Sequence, residues 1–364
     1  MAGSPIVSFV IATHDGRDVL ARCLASIARQ SLTEFEVIVF DNGTRDHEVA
    51  RAAVPHDPRF RVQRSEHNLG FAEANNRALA QARGEFVALV NDDAWLDSSW
   101  SEHMVAALRA HPSAGAAAGR TMQAAHPERL DAAGFAYFSC GTTDCFRNMP
   151  AGDAYHHAHH PFGPVASVAM YRGNALRAVG VFRAEYFCYY EDTDLALRLV
   201  LYDRPTVYVP EALAYHVGAH TGHERSAFQI YHLRRNVEYL YWVNMLGRLA
   251  LWHLPWHVTF ELLACGQAAI QGHTLAVMRA KLAAAKHAPW ILQQRAALAR
   301  DLSTRGELKA ATRRLSTRMR HGIPWFRASR AQRGSRASRH TAARAALRWF
   351  GRRAIVRRFT PTSR

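Results

Sequence analysis

The stretch Phe86–Asp93, FVALVNDD, decides the fold, because five apolar residues lead directly into a polar triplet. A short apolar run without alternation is typical of a strand buried on both faces of a parallel sheet. In open α/β sheets, ligands bind beyond the carboxyl ends of the strands. The triplet Asn91-Asp92-Asp93 therefore falls where a ligand would bind.

The segments before this stretch predict further strands of the same sheet. Ile6–Ile11 and Val37–Phe40 are β-branched apolar runs, while apolar residues from Val19 to Ile27 recur at helical spacing. A second helix is predicted over Ala72–Arg83. The strand–helix–strand order predicts a parallel sheet. Asp41 follows the second strand, so we expect it to share a cleft with the polar triplet.

The segments after this stretch are less regular. Residues 112–165 show no clear period, and their histidines 156, 157, 159 and 160 have no acidic or cysteine partner at ligand spacing. We interpret that cluster as a polar loop in preference to a metal site. A helix is predicted around Asp192–Leu201, followed by a short strand, Val207–Val209, that runs toward His216.

Composition and charge limit the classes of protein that fit. The chain has 364 residues and 49% apolar residues, enough for one large α/β domain and a smaller appendage. The five cysteines form no zinc-type pair and are interpreted as reduced thiols of a cytosolic protein, and no secretory signal is recognised at the N-terminus.

The net charge of +16 comes from residues 311–364, which hold sixteen arginines and no acid. This tail predicts contact with a polyanion or an anionic membrane; the alternative is a solvated tail.

The region from about Ser226 is rich in aromatic residues and helical in pattern. Leu249–Ile270 is apolar but interrupted by histidines, a proline and a glutamate, which disfavours a transmembrane span. We predict helices that lie at a membrane interface, with Trp242, Trp252 and Trp256 at headgroup level. The alternative is that these helices only pack on the catalytic domain.

Two acidic segments suit the transfer of a sugar from a nucleotide donor. A diphosphate leaving group needs a hard cation held by carboxylates, a role that Asn91-Asp92-Asp93 can fill. The acceptor hydroxyl needs a base, and Tyr189–Asp194 places three carboxylates within four positions. Acids are also favoured in the first turn of a helix, so capping is an equal interpretation of that segment. Asp41 could accept hydrogen bonds from a base or ribose, and Gly70 in Asn68–Phe71 would allow close approach of a phosphate.

Together, these segments resemble glycosyltransferase family 2, in particular its rhamnosyltransferase-like members, over roughly residues 5–245. The matching segments, in chain order, are Val7–Thr13, Cys23–Gln30, Val39–Gly43, Asn68–Phe71 with Asn75-Asn76, Leu89–Asp93, Val179–Phe182, Phe187–Arg198 and Val207–His216. The resemblance implies a GT-A nucleotide-diphospho-sugar transferase fold, that is, a Rossmann-like α/β fold with a mixed, mainly parallel sheet. It is expected to carry a C-terminal helical appendage.

The resemblance also implies a role for individual residues. Asp192 would be the catalytic base and Glu191 would orient the acceptor. Asp93 and His216 would bind Mg²⁺ or Mn²⁺. The nucleotide sugar would be bound by Thr13, Asp41, Asn68, Gly70, Asn91 and Asp92. His216 taken alone would be interpreted as an ordinary loop histidine.

The sequence departs from the family pattern in three places. Asn91 replaces the first aspartate of the family's DxD element, which removes one negative charge. Ala166-Ser167 stand where glycine is usual, and Arg183 stands where an acid is usual. These last two departures bear on the acceptor side of the site.

The interpretation that follows is an inverting, metal-dependent hexosyltransferase that acts on a lipid-linked or growing cell-surface polysaccharide, with rhamnose as a possible sugar. Three regions are predicted: a catalytic domain (1–225), an aromatic-rich membrane-associated helical region (226–310) and an arginine-rich tail (311–364). The enzyme is expected in the cytoplasm, peripherally at the inner face of the membrane. One alternative is a sugar-nucleotide pyrophosphorylase, although no glycine-rich basic loop follows the first strand. The other is a non-catalytic polyanion-binding protein, although the basic residues are confined to one end.

Overall fold

The computed structural model describes residues 4–46, 51, 53–150, 160–218 and 226–324. The strands are β1 (Val7–Thr13), β2 (Phe35–Asn42), β3 (Phe60–Ser65), β4 (Phe86–Val90), β5 (Ala94–Leu96), β6 (Ala116–Gln123), β7 (Leu130–Ala132), β8 (Ala136–Tyr137), β9 (Thr143–Asp144), β10 (Val168–Arg172) and β11 (Thr206–His216). The helices are α1 (Arg17–Ala28), α2 (Gly70–Leu79), α3 (Trp100–Ala110), α4 (Gly173–Val179), α5 (Glu191–Leu201), α6 (Ala227–Asn244), α7 (Leu249–Ile270), α8 (Thr274–Lys286), α9 (Ala288–Thr304) and α10 (Leu308–Arg318), with a 3₁₀ turn at Ala184–Tyr186.

The main sheet has the strand order β3-β2-β1-β4-β10-β6-β11-β5, with β7 paired to β6. Strands β1 to β4 are parallel to one another, and β6 is parallel to β11. Strand β10 lies antiparallel between β4 and β6, so β6 and β11 run in the same direction as β4. The predicted mixed, mainly parallel sheet is confirmed. The carboxyl ends of β1, β2, β4, β6 and β11 consequently meet at one edge.

Helices cover both faces of this sheet. Alternate residues of β1 point to opposite sides, with Phe9 in a core against α1 and α3 and Val10 in a core against α2, α4 and α5. Every residue of β4 is buried, as expected for a central strand between two helical layers. This double burial explains the unbroken apolar run in the sequence.

The helices after β11 extend the fold beyond the sheet. Helix α6 begins with a capping box formed by Ser226 and Gln229 and packs against α5 and the 3₁₀ turn. Residues 1–321 form one compact unit, and residues 325–364, which hold most of the arginine-rich tail, lie outside the described residues. The three-region division of the chain therefore remains a prediction. None of the helices within the described ranges is both long enough and apolar enough to cross a bilayer.

The structure differs from the sequence-based expectations in two elements. The strand predicted at Val207–Val209 continues to His216, through a register shift between Val209 and Leu213. Strand β6 lies in the segment without a clear period and was not predicted. Its alanine-rich sequence has low β-propensity, so its strand conformation depends on pairing with the neighbouring strands. Most of the histidine cluster falls in residues 151–159, outside the described residues, and His160 is exposed.

The three tryptophans predicted at a membrane interface differ in exposure. Trp242 is half-buried, its Nε1 donates to Glu238 at 3.0 Å, and its ring packs edge-on against Tyr241. Trp252 and Trp256 are exposed, by 75% and 45%. Their contact with a membrane stays a prediction.

Candidate active site

The carboxyl edge of the sheet brings together residues from distant parts of the chain. Thr13 ends β1 and lies opposite Asp41 at the end of β2. Asn91, Asp92 and Asp93 follow β4, and His216 ends β11. The expected convergence of the strand ends follows from the common direction of these strands.

Asp93 and His216 form the centre of this edge. The Nε2 of His216 lies 3.0 Å from Oδ1 of Asp93, and Oδ2 of Asp93 accepts a hydrogen bond from the backbone N–H of Gly218 at 3.1 Å. The other ring nitrogen, Nδ1, lies 2.8 Å from Oδ2 of Asp131. The second carboxylate oxygen of Asp131 pairs with Arg147. The imidazole is therefore held between two carboxylates, of which Asp93 is partly exposed and Asp131 is buried.

Asp131 is a site residue that the sequence did not indicate. It lies on the three-residue strand β7, whose pairing with β6 places it behind His216. The two residues are separated by 85 positions in the chain. No motif or period marks Leu130–Ala132 as a strand, so only the folded sheet reveals the contact.

The charges at this centre support one another. Burial alone would lower the pKa of His216, but hydrogen bonds to Asp131 and Asp93 outweigh it and raise the pKa to about 9. Burial would raise the pKa of Asp93, yet the hydrogen bond and charge of His216 hold it below its usual value. The pKa shifts of His216 and Asp93 thus favour the charged forms of both side chains, which attract each other.

These residues fit a divalent cation of the kind that the sequence predicts. A cation bound with nucleotide phosphates needs only one or two protein ligands, which Asp93 and His216 can provide from atoms 3.0 Å apart. Asp131 would then orient the ligand histidine through its other nitrogen, a common arrangement around metals. Within the described ranges, no group of three or more His, Cys, Asp or Glu side chains is arranged to hold a metal ion.

Asp92 and Asn91 flank this centre. The hydroxyl of Thr13 donates to Oδ2 of Asp92 at 2.7 Å, which joins the ends of β1 and β4. Burial, with the charge of Asp93, raises the pKa of Asp92. The Nδ2 of Asn91 lies 3.4 Å from Nε2 of His216. Gly16 packs so closely here that a Cβ would lie 2.2 Å from Asp92 Oδ2, which leaves no room for a larger residue.

The predicted nucleotide-binding residues form a second group at the end of β2. Asp41 is buried and accepts a hydrogen bond from the backbone N–H of Thr44 at 2.9 Å. Its neighbour Asn42 donates to Oδ1 of Asn68 at 3.1 Å, and that oxygen also accepts from the backbone N–H of Gly70 at 2.8 Å. Asn42 thus ties the predicted loop to the sheet, a role that was not predicted.

Gly70 lies against the ring of Phe187. Its φ is +81°, and an added Cβ would lie 2.5 Å from Cδ2 of Phe187. Glycine permits this close approach to the aromatic ring, and the approach of a phosphate to Gly70 stays a prediction.

The predicted base lies at the start of α5. Oδ2 of Asp192 accepts from the backbone N–H of Ala166 at 3.2 Å, while the carbonyl of Ser167 accepts from the backbone N–H of Asn91 at 2.8 Å. Two adjacent residues therefore connect Asp192 with the end of β4. These are the residues that stand where glycine is usual in the family, and here their backbone makes the connection.

Glu191 is a buried acid, and Asp192 beside it is half-buried. Burial and then the charge of Asp192 raise the pKa of Glu191 to about 8, and burial raises the pKa of Asp192. Oε2 of Glu191 is buried and has no hydrogen-bond partner among the described residues. Groups with strongly raised pKa values in a cleft are typical of functional sites.

The third acid of this segment, Asp194, has a structural role. It is fully buried and pairs with Arg183 and Arg198, and it also accepts from Asn244 at 2.8 Å. These cations keep its pKa below the usual value despite burial. Arg183, a departure from the family pattern, is therefore explained by its ion pair with Asp194.

The fold and this edge define a GT-A nucleotide-diphospho-sugar transferase fold. A solved structure described as GalNAc-T7 with UDP, GalNAc and Mn²⁺ is similar, with a TM-score of 0.53 and 13% identity. The match covers 65% of this chain and 48% of that one. At this identity the likeness concerns the fold alone.

The sequence relationship is more specific. Residues 8–139 match the family model described as Glycosyl transferase family 2. An uncharacterized protein, y4gI, of Sinorhizobium fredii is 30% identical over 257 residues, 66% of this chain and 28% of the relative. A putative glycosyltransferase, EpsH, of Bacillus subtilis is 30% identical over 104 residues, 28% of this chain and 30% of the relative. The chain thus spans less than a third of each of these two proteins.

The predicted rhamnosyltransferase-like resemblance is also confirmed. An N-acetylglucosaminyl-diphospho-decaprenol L-rhamnosyltransferase of Mycobacterium tuberculosis is 29% identical over 249 residues. This match covers 59% of the present chain and 77% of the relative.

Proposed function

We propose that this protein is an inverting glycosyltransferase that moves a sugar from a nucleotide-sugar donor to an acceptor hydroxyl. The observation that carries the proposal is the connection of Asp192 to the Asn91 end of β4 through two adjacent backbone groups. This connection supports a single active site, with the proposed base on one side and the Asp93–His216 pair on the other. The match of residues 8–139 to the glycosyltransferase family 2 model supports the same reaction class.

In the proposed reaction, Asp192 accepts the proton of the acceptor hydroxyl as the oxygen attacks the anomeric carbon. A single displacement inverts that carbon and releases the nucleoside diphosphate. Asp93 and His216 would hold Mg²⁺ or Mn²⁺, which would neutralise charge on the leaving diphosphate. The donor would contact the polar groups at the ends of β1, β2 and β4: Thr13, Asp41, Asn68, Gly70, Asn91 and Asp92.

Glu191 is proposed to orient the acceptor. Its side chain is only 7% exposed, and one carboxyl oxygen has no partner within the described part of the chain. Buried polar atoms without partners are rare, and an acceptor hydroxyl would supply the missing hydrogen bond. The same carboxyl stands directly before the base in the chain.

Rhamnose is proposed as the first donor sugar to test, on the basis of the mycobacterial relative. A lipid-linked or growing cell-surface polysaccharide is proposed as the acceptor. Such an acceptor would place the enzyme at the cytoplasmic face of a membrane, and the helices after β11 support this location.

Helix α7 exposes an apolar face with no charged side chain. Its only charged residue, Glu261, is buried and pairs with Arg234. The exposed apolar residues of α7 are Leu251, Trp252, Trp256, Val258, Leu262, Leu263 and Ile270. A helix face toward water normally carries charges, whereas an interfacial helix places such residues among lipids. The arginine-rich residues 311–364 add charge that attracts anionic headgroups.

Donor turnover tests the proposed reaction. Purified protein would be incubated with nucleotide sugars, Mn²⁺ or Mg²⁺ and a membrane extract as acceptor, and compared with Asp192→Asn and Asp93→Asn variants. We expect one donor to be consumed and both variants to lose about 10²-fold or more in rate. Asp203→Asn removes a largely exposed carboxylate at the end of α5 and should retain activity. Turnover that survives in Asp192→Asn would refute the assigned base.

Sedimentation with vesicles tests the membrane contact. Vesicles of phosphatidylglycerol and phosphatidylcholine should bind the full chain more strongly than phosphatidylcholine alone. A Trp252→Ser, Leu262→Ser double variant should bind less, whereas Gln293→Ser, an exposed polar change on α9, should not. Equal binding by the double variant and the wild type would exclude this face.

A further inference from the structure

The loop that precedes Glu191 has an unusual backbone. Phe187, Tyr189 and Tyr190 have φ values of 63°, 68° and 70°. Left-handed conformations of non-glycine residues cost about 1–2 kcal/mol each. A loop with three of them in four positions needs support from outside, and Tyr190 is the N-cap residue directly before α5.

Asn236 on α6 supplies much of this support. Its side chain is fully buried, and Nδ2 lies within hydrogen-bond distance of three loop carbonyls: Tyr186 at 2.9 Å, Cys188 at 2.8 Å and Tyr189 at 2.8 Å. One amide group therefore contacts the backbone on both sides of Phe187. The NH₂ group of an asparagine amide carries two N–H donors in one plane, and few other side chains offer this.

Arg235 fixes the orientation of that amide. Its Nε donates to Oδ1 of Asn236 at 2.8 Å, and its Nη2 donates to the carbonyls of Glu185 and Tyr186 at 3.0 and 2.8 Å. A guanidinium group has no acceptor, so Oδ1 must face it and the NH₂ group must face the loop. The two residues act as one donor surface against residues 185–189.

The other side of the loop rests on α2. The backbone N–H of Ala72 donates to the carbonyl of Phe187 at 3.1 Å, and Gly70 lies against the ring of Phe187. The ring of His232, on α6, stacks on the ring of Phe187, with centroids 5.2 Å apart. The loop is thus enclosed between the nucleotide side of the site and α6.

We propose that Arg235 and Asn236 are positioning residues that hold the 185–190 loop so that Asp192 and Glu191 face the acceptor. This inference rests on the proposed function, since it assigns the base to Asp192. The two residues touch neither donor nor acceptor in the proposal and act through the loop.

Release of the loop should change the pH dependence of the rate, which a general loss of protein stability would not do. Burial is the largest cause of the raised pKa values of Glu191 and Asp192. If the loop opens, water reaches Glu191 and hydrates the half-buried Asp192 more fully, so the pKa values of both carboxyls fall toward ordinary values. The acidic limb of the pH–rate profile should therefore move to lower pH while the rate at its plateau falls.

The test compares Asn236→Ala with Asn244→Ala. Asn244 lies on the same helix, is equally buried, and donates to Asp194 at 2.8 Å and to the carbonyl of Leu240 at 3.1 Å. For Asn236→Ala we expect kcat to fall about 10- to 100-fold with donor KM changed less than about threefold, because misplacement of a reacting group by about 1 Å can cost about 100-fold. The acidic limb should move down by about one pH unit. Asn244→Ala should be less stable but keep the position of the limb.

Further variants keep the inference testable if Asn236→Ala does not fold. Arg235→Lys retains the charge but loses the bond from Nε to the Asn236 amide, and it should shift the limb in the same direction by a smaller amount. Hydrogen exchange of amides 186–193 should be faster in Arg235→Lys than in wild type. A wild-type pH profile in a folded Asn236→Ala or Arg235→Lys variant, or an equal shift in Asn244→Ala, would overturn the inference. An active Asp192→Asn variant would instead overturn the proposed function.

Discussion

Replacement of Glu191 by glutamine should stabilise the protein relative to wild type, and the difference in free energy of unfolding should grow as the pH rises. The side chain is 7% exposed, one of its oxygens has no partner among the described residues, and its pKa is raised from 4.5 to about 8. The folded state therefore binds more protons than the unfolded state between these two values. The free energy of unfolding falls as the pH rises through this window, and the full contribution of the neutral carboxyl is present only below 4.5.

The size of the effect follows from the shift. Each pKa unit corresponds to about 1.4 kcal/mol, so ionising Glu191 in place removes about 5 kcal/mol of stability. About 4 kcal/mol of this change should fall between pH 5 and pH 8.5. The glutamine variant has no charge to bury, so the difference between variant and wild type should grow by this amount over the same range. Any constant effect of placing an amide at this position cancels in the comparison.

Urea unfolding at both pH values measures this difference. Glu185→Gln is the matched control, because Glu185 is an exposed glutamate six positions earlier in the chain, and its difference from wild type should not change with pH. We also expect Glu191→Gln to lose transfer activity, since activity and stability often oppose each other at functional sites. A pH-independent difference, or one that changes by less than about 1 kcal/mol, would refute the assignment of a buried, ionising Glu191.

Three further changes test other parts of the structure. Asp131→Asn removes the charge behind His216, the histidine proposed to bind the metal, so half-maximal activation should need about tenfold more Mn²⁺, as measured by metal titration of donor turnover. Gly70→Ala puts a Cβ at a φ of +81° and 2.5 Å from an aromatic ring, and it should lower stability in urea by about 1–3 kcal/mol, whereas Gly266→Ala, with open space around it, should not. Arg183→Met leaves Asp194 with one cation instead of two and should lower stability by about 2–4 kcal/mol, an effect that an added Asp194→Asn change should partly reverse if the pair is coupled.

The central strands could be predicted because local and long-range preferences agree there. Phe86–Val90 was predicted with the bounds that the structure shows, since its β-branched and apolar residues are buried on both faces. Polar groups at the end of such a strand necessarily reach the carboxyl edge of the sheet. Asp93 could be placed there from the sequence alone, whereas His216 was paired with it only through the family resemblance.

The remaining contacts depend on pairings that no local pattern encodes. Asp131 reaches its histidine only because three residues of β7 pair with β6, a strand whose own alanines give little signal. Arg235 and Asn236 lie in a helix that was predicted, but helical period does not reveal that two adjacent polar residues are buried. The carbonyls they bind become accessible only through left-handed residues some 50 positions earlier in the chain.

The contacts between the 185–190 loop and α6 affect which segments can be exchanged between related transferases. Exchange of the segment after residue 225 between related transferases is an obvious way to alter acceptor preference while retaining the donor site. Here that exchange would also replace Arg235 and Asn236, which hold the loop before Glu191. A chimera joined after residue 245 would keep the native contacts of α6, so the functional junction lies one helix later than the change in sequence composition suggests.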